Sequence, residues 1–218
     1  MPNFATISTV EVSDQASWNK RLFLTFDIDW AHDQVLNDTI EIVQKYQASA
    51  TWFVTHATTV LERLKANTKF ELGIHPNFNF LLQGKHDAGQ TARDVIERCL
   101  EIVPSAKVVR SHSMTQSSGL LEIFKECGLT HDVNHFVPHH TVIELKPWHI
   151  WNGLIRIPYS WEDDVHILYE SIGVPQESPR DIAMDTSDRG LKVFDFHPMH
   201  VFLNTESLER YERTRPLH

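Results

Sequence analysis

Residues 21–29 read RLFLTFDID, an apolar and β-prone run that ends in two carboxylates separated by one residue. Such a run is typical of a buried strand, and the acidic residues mark where the strand stops. The next segment, residues 33–46, has apolar residues at helical spacing. A strand followed closely by a helix predicts the first half of a βαβ unit.

The same alternation continues along the chain. Further strands are predicted at residues 50–55, 70–74, 107–110, 131–134, 142–145, 154–157 and 192–196. Helices are predicted at residues 58–66, 88–102, 117–127 and 206–212, with Gly128 as a stop after the third of them. Alternating strands and helices indicate a parallel sheet with crossover helices. About seven strands in 218 residues predict one α/β domain, residues 1–218, built as a closed or nearly closed barrel.

The composition excludes several classes of function. The net charge is −9 and there is no Lys/Arg cluster, which argues against a nucleic-acid partner. There is no apolar run long enough for membrane insertion, and the N-terminal residues lack the regions of a secretory signal, so we expect a cytoplasmic protein. Cys99 and Cys127 lack metal-ligand spacing and are expected to be small apolar helix residues without a disulfide.

Histidine is unusually frequent, with 14 residues, and several histidines follow predicted strands. The polar residues at strand ends are Asp27, Asp29, His75, Arg110, His112 and His197. In α/β barrels the functional residues lie at the carboxyl ends of the strands. This coincidence predicts a functional site at that end of the barrel.

The pair Asp27 and Asp29 is the first candidate constellation. Residues two apart on an extended chain point to the same side, and two adjacent negative charges repel unless a cation, a proton or a partner relieves them. One carboxylate could bind a metal while the other takes a proton from water. The alternative is an exposed turn.

Two further strand ends offer nitrogen donors. His75 is followed by Pro76, and a neutral imidazole held there could ligate a divalent metal; the alternative is a core histidine bonded to a backbone carbonyl. Arg110 could keep Asp27 ionised, and His112, on the same face, could reach the metal. The alternatives are a surface ion pair for Arg110 and a loop position for His112.

The last strand end and an acidic segment supply the remaining candidates. His197 could act as a general acid, with Asp195 either orienting it or lying on the opposite layer. In residues 157–164, aromatics beside acids suit a sugar, with Trp161 stacking on its ring and Asp164 binding its hydroxyls; the alternative is a solvated acidic turn. His200 could bind substrate or be a solvated loop residue. Nine further histidines are expected to be structural: His56, His86, His131, His135, His139, His140, His149, His166 and His218.

Taken in order, these segments resemble the polysaccharide deacetylase family, which has the NodB-homology fold. The matching segments are Thr25-Phe26-Asp27-Ile28-Asp29, Ala50-Thr51-Trp52-Phe53, Glu71-Leu72-Gly73-Ile74-His75, Arg110, Gly128-Leu129-Thr130-His131-Asp132 and His197-Pro198. The resemblance covers about residues 22–200. The segments GIHPNF, RSHS and FHPMH are similar to the WbmS-like branch, which is associated with O-antigen biosynthesis clusters.

The resemblance implies a distorted (β/α) barrel in which Asp29 and His75 are metal ligands, Asp27 is the base and His197 is the acid. The family usually offers a second histidine four residues after the first, where this chain has Asn79, a poor zinc ligand that we expect to contact substrate instead. We expect His112 to supply the missing imidazole, which is an inference from chemistry and not from the resemblance.

The sequence therefore predicts a hydrolase that depends on a divalent metal, zinc by default, and removes an acyl group, N-acetyl by default, from a sugar or polysaccharide precursor. Two alternatives remain open. One is a catalytically inactive barrel that binds a sugar or nucleotide-sugar, which the Asn79 substitution motivates. The other is an amidohydrolase that acts on a non-sugar amide.

Overall fold

The computed structural model describes residues 3–85, 90–141, 143–175, 177–185 and 190–214. Within these ranges nine strands form one sheet. The strands are β1 (Leu22–Asp27), β2 (Ala50–Val54), β3 (Phe70–Ile74), β4 (Val108–Val109), β5 (His131–Phe136), β6 (Trp148–His149), β7 (Ile155–Tyr159), β8 (Trp161–Glu162) and β9 (Lys192–Phe196).

Helices follow most of the strands. They are α1 (Asp33–Lys45), α2 (Leu61–Lys65), α3 (Asn79–Leu82), α4 (Ala92–Ile102), α5 (Ser118–Glu126), α6 (Asp163–Ser171), α7 (Pro179–Met184), α8 (Pro198–Leu203) and α9 (Leu208–Thr214). Helix α4 begins at a capping box formed by Thr91 and Asp94, and α5 ends just before Gly128, whose φ is +82°. In the part of the chain that the structure describes, every helix falls short of the length and apolarity that a membrane crossing demands.

The sheet is parallel except at one edge, and it curls almost into a barrel. Its order is β6-β7-β5-β4-β3-β2-β1-β9-β8, with only the β6–β7 pair antiparallel. Strand β7 pairs with β5, whereas β8, which continues the same chain after Ser160, pairs with β9. Ser160 N donates a hydrogen bond of 3.3 Å to Val193 O, so residues 155–162 bridge the two sides of the curl.

The predicted barrel is confirmed, with nine strands where about seven were expected. The two additional strands, β6 and β8, are only two residues long and leave no periodic signal. Residues 143–145 are not in a strand, and Val142, which belongs to the same predicted element, lies outside the described residues. Helix α4 begins at Ala92, later than predicted, and residues 88 and 89 also lie outside the described part.

Alternation along the strands separates the side chains that face the helices from those that face inward, and a smaller third cluster forms around Trp161, Ile182 and Phe194. Outward-facing side chains pack against the helices; examples are Phe26, Trp52, Ile74 and Val109. Inward-facing side chains fill the barrel together with residues from the N-terminal segment; examples are Phe23, Phe53, Val108, Val133, Val193, Ile7, Val10 and Trp18. Because apolar side chains fill the lower part of the barrel, the polar inward residues are left at the carboxyl ends of the strands.

Candidate functional site

The carboxylates of Asp27 and Asp29 both face one cavity, but a turn and not an extended strand brings them together. Asp27 is the last residue of β1, and Ile28 N still donates to Phe53 O across the sheet at 3.2 Å. Asp29 and Trp30 then adopt left-handed φ angles of 35° and 57°. Ala31 N donates to Ile28 O at 2.7 Å and closes this turn. The predicted geometry, in which both residues lie on one face of an extended strand, is therefore wrong.

His75 lies at the end of β3 between the two carboxylates. Its Nε2 is 3.2 Å from Asp29 Oδ1, and its Nδ1 is 3.5 Å from Asp27 Oδ2, a contact that falls short of hydrogen-bond geometry. The residue is only 2% exposed, so its ring is fixed by its surroundings. Gly73, two residues earlier, is required here because an added Cβ would lie 2.9 Å from the ring of Phe53.

His112 reaches the same carboxylate from the loop after β4. Its Nδ1 lies 3.1 Å from Asp29 Oδ1, and its ring stands edge-on to the ring of His75 at 5.4 Å between centroids. The loop is held by Asn134, whose Oδ1 accepts a hydrogen bond of 2.8 Å from Ser111 N. The contact with Asp29 raises the pKa of His112, although burial opposes this shift.

The three residues form a group of donor atoms of the kind that divalent metals bind. One atom each from Asp29, His75 and His112 lie within 4.8 Å of one another. Burial alone would raise the pKa of Asp29, but the two imidazoles outweigh burial and lower it, so the carboxylate stays ionised. Two nitrogens and one carboxylate oxygen fit a divalent ion such as zinc and leave a fourth position for water.

Asn79 does not join this group. It begins α3, and its Nδ2 donates a hydrogen bond of 3.1 Å to Ser113 Oγ on the loop that carries His112. Ser113 lines the cavity, so Asn79 contacts the cavity wall only through the Ser113 hydroxyl. The position that usually holds a histidine therefore supports the loop in this chain.

Arg110 lies at the centre of the barrel and not on its surface. Its Nη1 donates to Asp27 Oδ1 at 2.9 Å and also pairs with Asp195, while its guanidinium lies 4.6 Å from the ring of Phe53 and 4.5 Å from that of Tyr159. Burial alone would lower the pKa of Arg110, but the negative charges of Asp195 and Asp27 outweigh burial and raise the pKa above its usual value. Arg110 therefore stays charged and fixes the Asp27 carboxylate. The alternative of a surface ion pair is excluded because Arg110 is 1% exposed.

His197 is oriented by Asp163, which the sequence analysis did not single out. Asp163 Oδ1 lies 2.7 Å from His197 Nδ1, and Asp163 Oδ2 accepts a 2.7 Å hydrogen bond from His197 N. Burial opposes the charge on His197, but Asp163 raises its pKa well above the usual value. Asp195 instead accepts a hydrogen bond of 2.9 Å from Thr25 and pairs with Arg110. The only signal for Asp163 was the acidic run that it shares with its neighbours.

Glu162 is a second residue that the sequence analysis missed. Its side chain lines the same cavity as Asp27 and His197, and its Oε2 accepts a 3.1 Å hydrogen bond from the Tyr159 hydroxyl. Burial raises the pKa of Glu162 to about 7, although His197 and Arg110 act to lower it. A carboxyl that exchanges its proton near neutral pH therefore faces the candidate metal group.

The residues expected to bind substrate separate into two kinds. Asp164 lies at the cavity, with its side chain 53% exposed, and its Oδ1 is 2.5 Å from Nε2 of the mostly buried His200. Trp161, in contrast, is only 7% exposed and packs against Phe196 at 4.9 Å between ring centroids. Trp161 is a core residue, so its expected role as a platform for a sugar ring is wrong.

Two cavities meet at this site. The smaller has a volume of about 100 Å³ and contains the candidate metal group, Arg110 and Glu162. The larger has a volume of about 670 Å³, and its lining includes Trp30 and Tyr211, which do not line the smaller cavity. The cavities share four lining residues, which are Asp27, Asp29, Asp164 and His197.

His32, which caps α1, lines the larger cavity, and the remaining histidines lie away from this arrangement. His131, for example, is buried with its Nε2 3.0 Å from Val10 O. Among the residues that the structure describes, no candidate metal group includes His56, His131, His135, His139, His140, His149 or His166. His86 and His218 lie outside those residues. Cys99 and Cys127 are free thiols, as predicted.

The comparisons with known proteins agree with one another. Residues 24–215 match the model of the WbmS-like polysaccharide deacetylase family. The crystal structure of a Bordetella bronchiseptica protein, WbmS, proposed to act as a polysaccharide deacetylase in O-antigen biosynthesis, superposes with a TM-score of 0.91. The two sequences are 45% identical, over 99% of this chain and 87% of that one.

Other comparisons add little. The 4-alpha-glucanotransferase of Thermococcus litoralis is 11% identical, with a TM-score of 0.47 over 88% of this chain and 38% of that one, and this likeness carries no argument. No curated protein matches the sequence. The family match covers most of the chain and the similarity to the Bordetella structure extends over nearly all of it, so this chain belongs to the WbmS-like polysaccharide deacetylase family.

Proposed function

We propose that this protein is a metal-dependent hydrolase that removes an acyl group, N-acetyl in the simplest case, from a sugar of a polysaccharide or its precursor. The observation that carries the proposal is the convergence of Asp29 Oδ1, His75 Nε2 and His112 Nδ1. This convergence lies beside Asp27, which a buried arginine fixes. Membership of a deacetylase family and the proposed role of the Bordetella protein support the sugar substrate.

Asp29, His75 and His112 would hold the metal. Such an ion supplies Lewis acidity, which makes water more acidic and polarises an acyl carbonyl. A metal held by these three protein donors would have a further position for water, as catalytic zinc sites do.

Asp27 is the proton acceptor in this proposal. Arg110 binds its Oδ1 atom, and its Oδ2 atom lies 3.5 Å from His75 Nδ1. A carboxylate fixed in this way can take the proton of an attacking water without first reorienting. Arg110 contributes by position and charge and does not itself transfer a proton.

His197 is the proton donor. Asp163 holds its Nδ1, and its Nε2 lies 3.7 Å from Asp29 Oδ2, on the wall that both cavities share. Asp163 raises the pKa of His197, which favours the protonated imidazole that can protonate the departing amine. The carbon–nitrogen bond of the amide breaks, and the products are a small carboxylic acid and an amino sugar.

Elemental analysis combined with acetate release from a panel of N-acetyl sugars tests the proposal. We expect about one zinc per chain in the wild type, loss of the metal in Asp29→Ala, and retention of the metal without turnover in Asp27→Asn. Asp38→Ala, at an exposed position of α1, is the matched control and should behave as wild type. Equal metal content in Asp29→Ala and wild type would contradict the ligand assignment. Sugar binding without metal or turnover would favour a binding protein.

A further inference from the structure

The two cavities differ in what they can hold. The smaller, at about 100 Å³, has room for roughly three water molecules at ~30 Å³ each, which suits a short acyl group and the attacking water. The larger, at about 670 Å³, is within the range of ~300–1,000 Å³ that is typical of small-molecule sites. If the acyl group enters the smaller cavity, the rest of the substrate occupies the larger one.

Trp30 presents an indole to the larger cavity from an uncommon backbone conformation. Its φ is 57°, a region that bulky residues rarely adopt and that costs free energy. Thr55 fixes the position, since its Oγ1 accepts a 3.2 Å hydrogen bond from Trp30 N. The side chain is 48% exposed, and its ring stands edge-on to that of His112 at 5.2 Å between centroids. The partly exposed indole of Trp30 therefore lies directly beside the candidate metal group.

The charges around the larger cavity are unsuited to a phosphate. Its lining includes the carboxylates of Asp27, Asp29 and Asp164. The proposed proton donor His197 also lines it but is already paired with Asp163, and no Lys or Arg lines it among the residues that the structure describes. Arg110, in the smaller cavity, is already paired with two carboxylates. Proteins bind a diphosphate through Arg, Lys or backbone N–H groups, and adjacent carboxylates would repel it.

We infer that Trp30 is a specificity-determining residue, which stacks on a neutral N-acyl sugar ring in the larger cavity, and that this cavity disfavours nucleoside diphosphate sugars. The inference rests on the proposed function and specifies its substrate class. Sugar rings present an apolar C–H face that packs on an aromatic ring, whereas their hydroxyls can reach Asp164 and the histidines of the wall. Trp30 takes the role that the sequence analysis assigned to Trp161.

Steady-state kinetics on three substrates test this inference. Tri-N-acetylchitotriose and UDP-N-acetylglucosamine are compared with 4-nitrophenyl acetate, which has no sugar. We expect Trp30→Ala to raise the KM for the trisaccharide about tenfold, and Trp30→Tyr to recover most of that loss. The deciding quantity is the ratio of kcat/KM for the trisaccharide to that for 4-nitrophenyl acetate, which should fall about tenfold in Trp30→Ala, and the zinc content of each variant is measured alongside. Trp151→Ala, at a tryptophan that is 64% exposed and lines neither cavity, is the matched control.

Several outcomes would overturn the inference without touching the proposed function. An unchanged trisaccharide KM in Trp30→Ala would do so, as would UDP-N-acetylglucosamine serving as well as the trisaccharide. Loss of zinc in Trp30→Ala would show that the residue acts only through His112. Calorimetry of trisaccharide binding to Asp27→Asn, with and without Trp30→Ala, tests the role of Trp30 separately from the proposed hydrolysis. If wild type hydrolyses no sugar, the proposed function fails, and the inference then holds or fails on whether Trp30→Ala weakens this binding.

Discussion

His112 Nδ1 lies 3.1 Å from Asp29 Oδ1, the same oxygen that lies 3.2 Å from His75 Nε2. One carboxylate oxygen therefore faces two imidazole nitrogens that come from different strand ends. A divalent cation relieves the crowding of donor atoms in such a group, because all three can direct lone pairs at it.

The first prediction concerns the third ligand. His112→Ala should reduce zinc affinity by at least about a hundredfold, because it removes one of three protein donors. Asn79→Ala is the comparison: it replaces the residue at the position where the family usually has histidine, removes only a hydrogen bond to the loop that carries His112, and should reduce zinc affinity far less. Competition with a chromophoric chelator measures both affinities. Equal losses in the two variants would show that His112 is not a ligand.

The second prediction concerns the buried arginine. Arg110→Met should destabilise the protein by about 3–5 kcal/mol, because it leaves Asp27 and Asp195 buried without their positive partner. Arg210→Met removes an exposed pair with Glu206 and should cost less than about 1 kcal/mol. Urea unfolding measures both changes. A small effect at Arg110 would mean that water replaces the guanidinium in the barrel.

The third prediction concerns pH dependence. Asp163 raises the pKa of His197, and the proton donor must be protonated to act. Asp163→Asn should therefore lower that pKa and move the alkaline limb of the kcat/KM profile to lower pH, leaving the variant nearer wild type in acid than in base. Asp181→Asn, at an exposed position of α7, serves as the control. An alkaline limb at the wild-type pH would separate His197 from proton donation.

The fourth prediction concerns the packing below the site. A Cβ at Gly73 would lie 2.9 Å from both the Phe53 ring and Val108 O, so Gly73→Ala should destabilise by about 1–3 kcal/mol. At Gly119 the nearest atom would be 3.9 Å away, and Gly119→Ala within α5 should be neutral or stabilising by about 0.5 kcal/mol. Urea unfolding distinguishes them. Equal effects would mean that the Phe53 ring moves aside freely.

The sequence could predict the barrel and the location of the site because both follow from alternation. Strand-end residues such as His75 and Arg110 lie where a parallel sheet must place them, whatever the details of the loops. The sequence correctly predicted that Asp29 faces the same side as Asp27, but it predicted an extended strand there. The Asp29 carboxylate is delivered by two left-handed residues, and no local rule expects a tryptophan in that conformation.

The acidic segment after β7 shows where prediction from sequence stops. In β8 neighbouring residues point to opposite faces, so Trp161 enters the outer core whereas Glu162 enters the cavity. Asp163, at the start of α6, contacts His197, and Asp164 faces both cavities. Composition alone could suggest a sugar site in this segment. Which side chain enters the core and which enters the cavity depends on the two-residue strand β8, which no sequence pattern predicts.

The passage of the chain from β7 through Ser160 into β8 has a consequence for how activity would be lost. This short segment connects the two edges of the curled sheet. It is followed directly by Asp163, the residue that orients the proposed proton donor His197. The proposed zinc ligands follow β1, β3 and β4, and β1 pairs directly with β9, the strand that precedes His197. Fraying of this segment would release His197 from Asp163 while the strands that carry His197 and the proposed zinc ligands stayed paired, so inactivation by heat or denaturant would begin here and precede global unfolding.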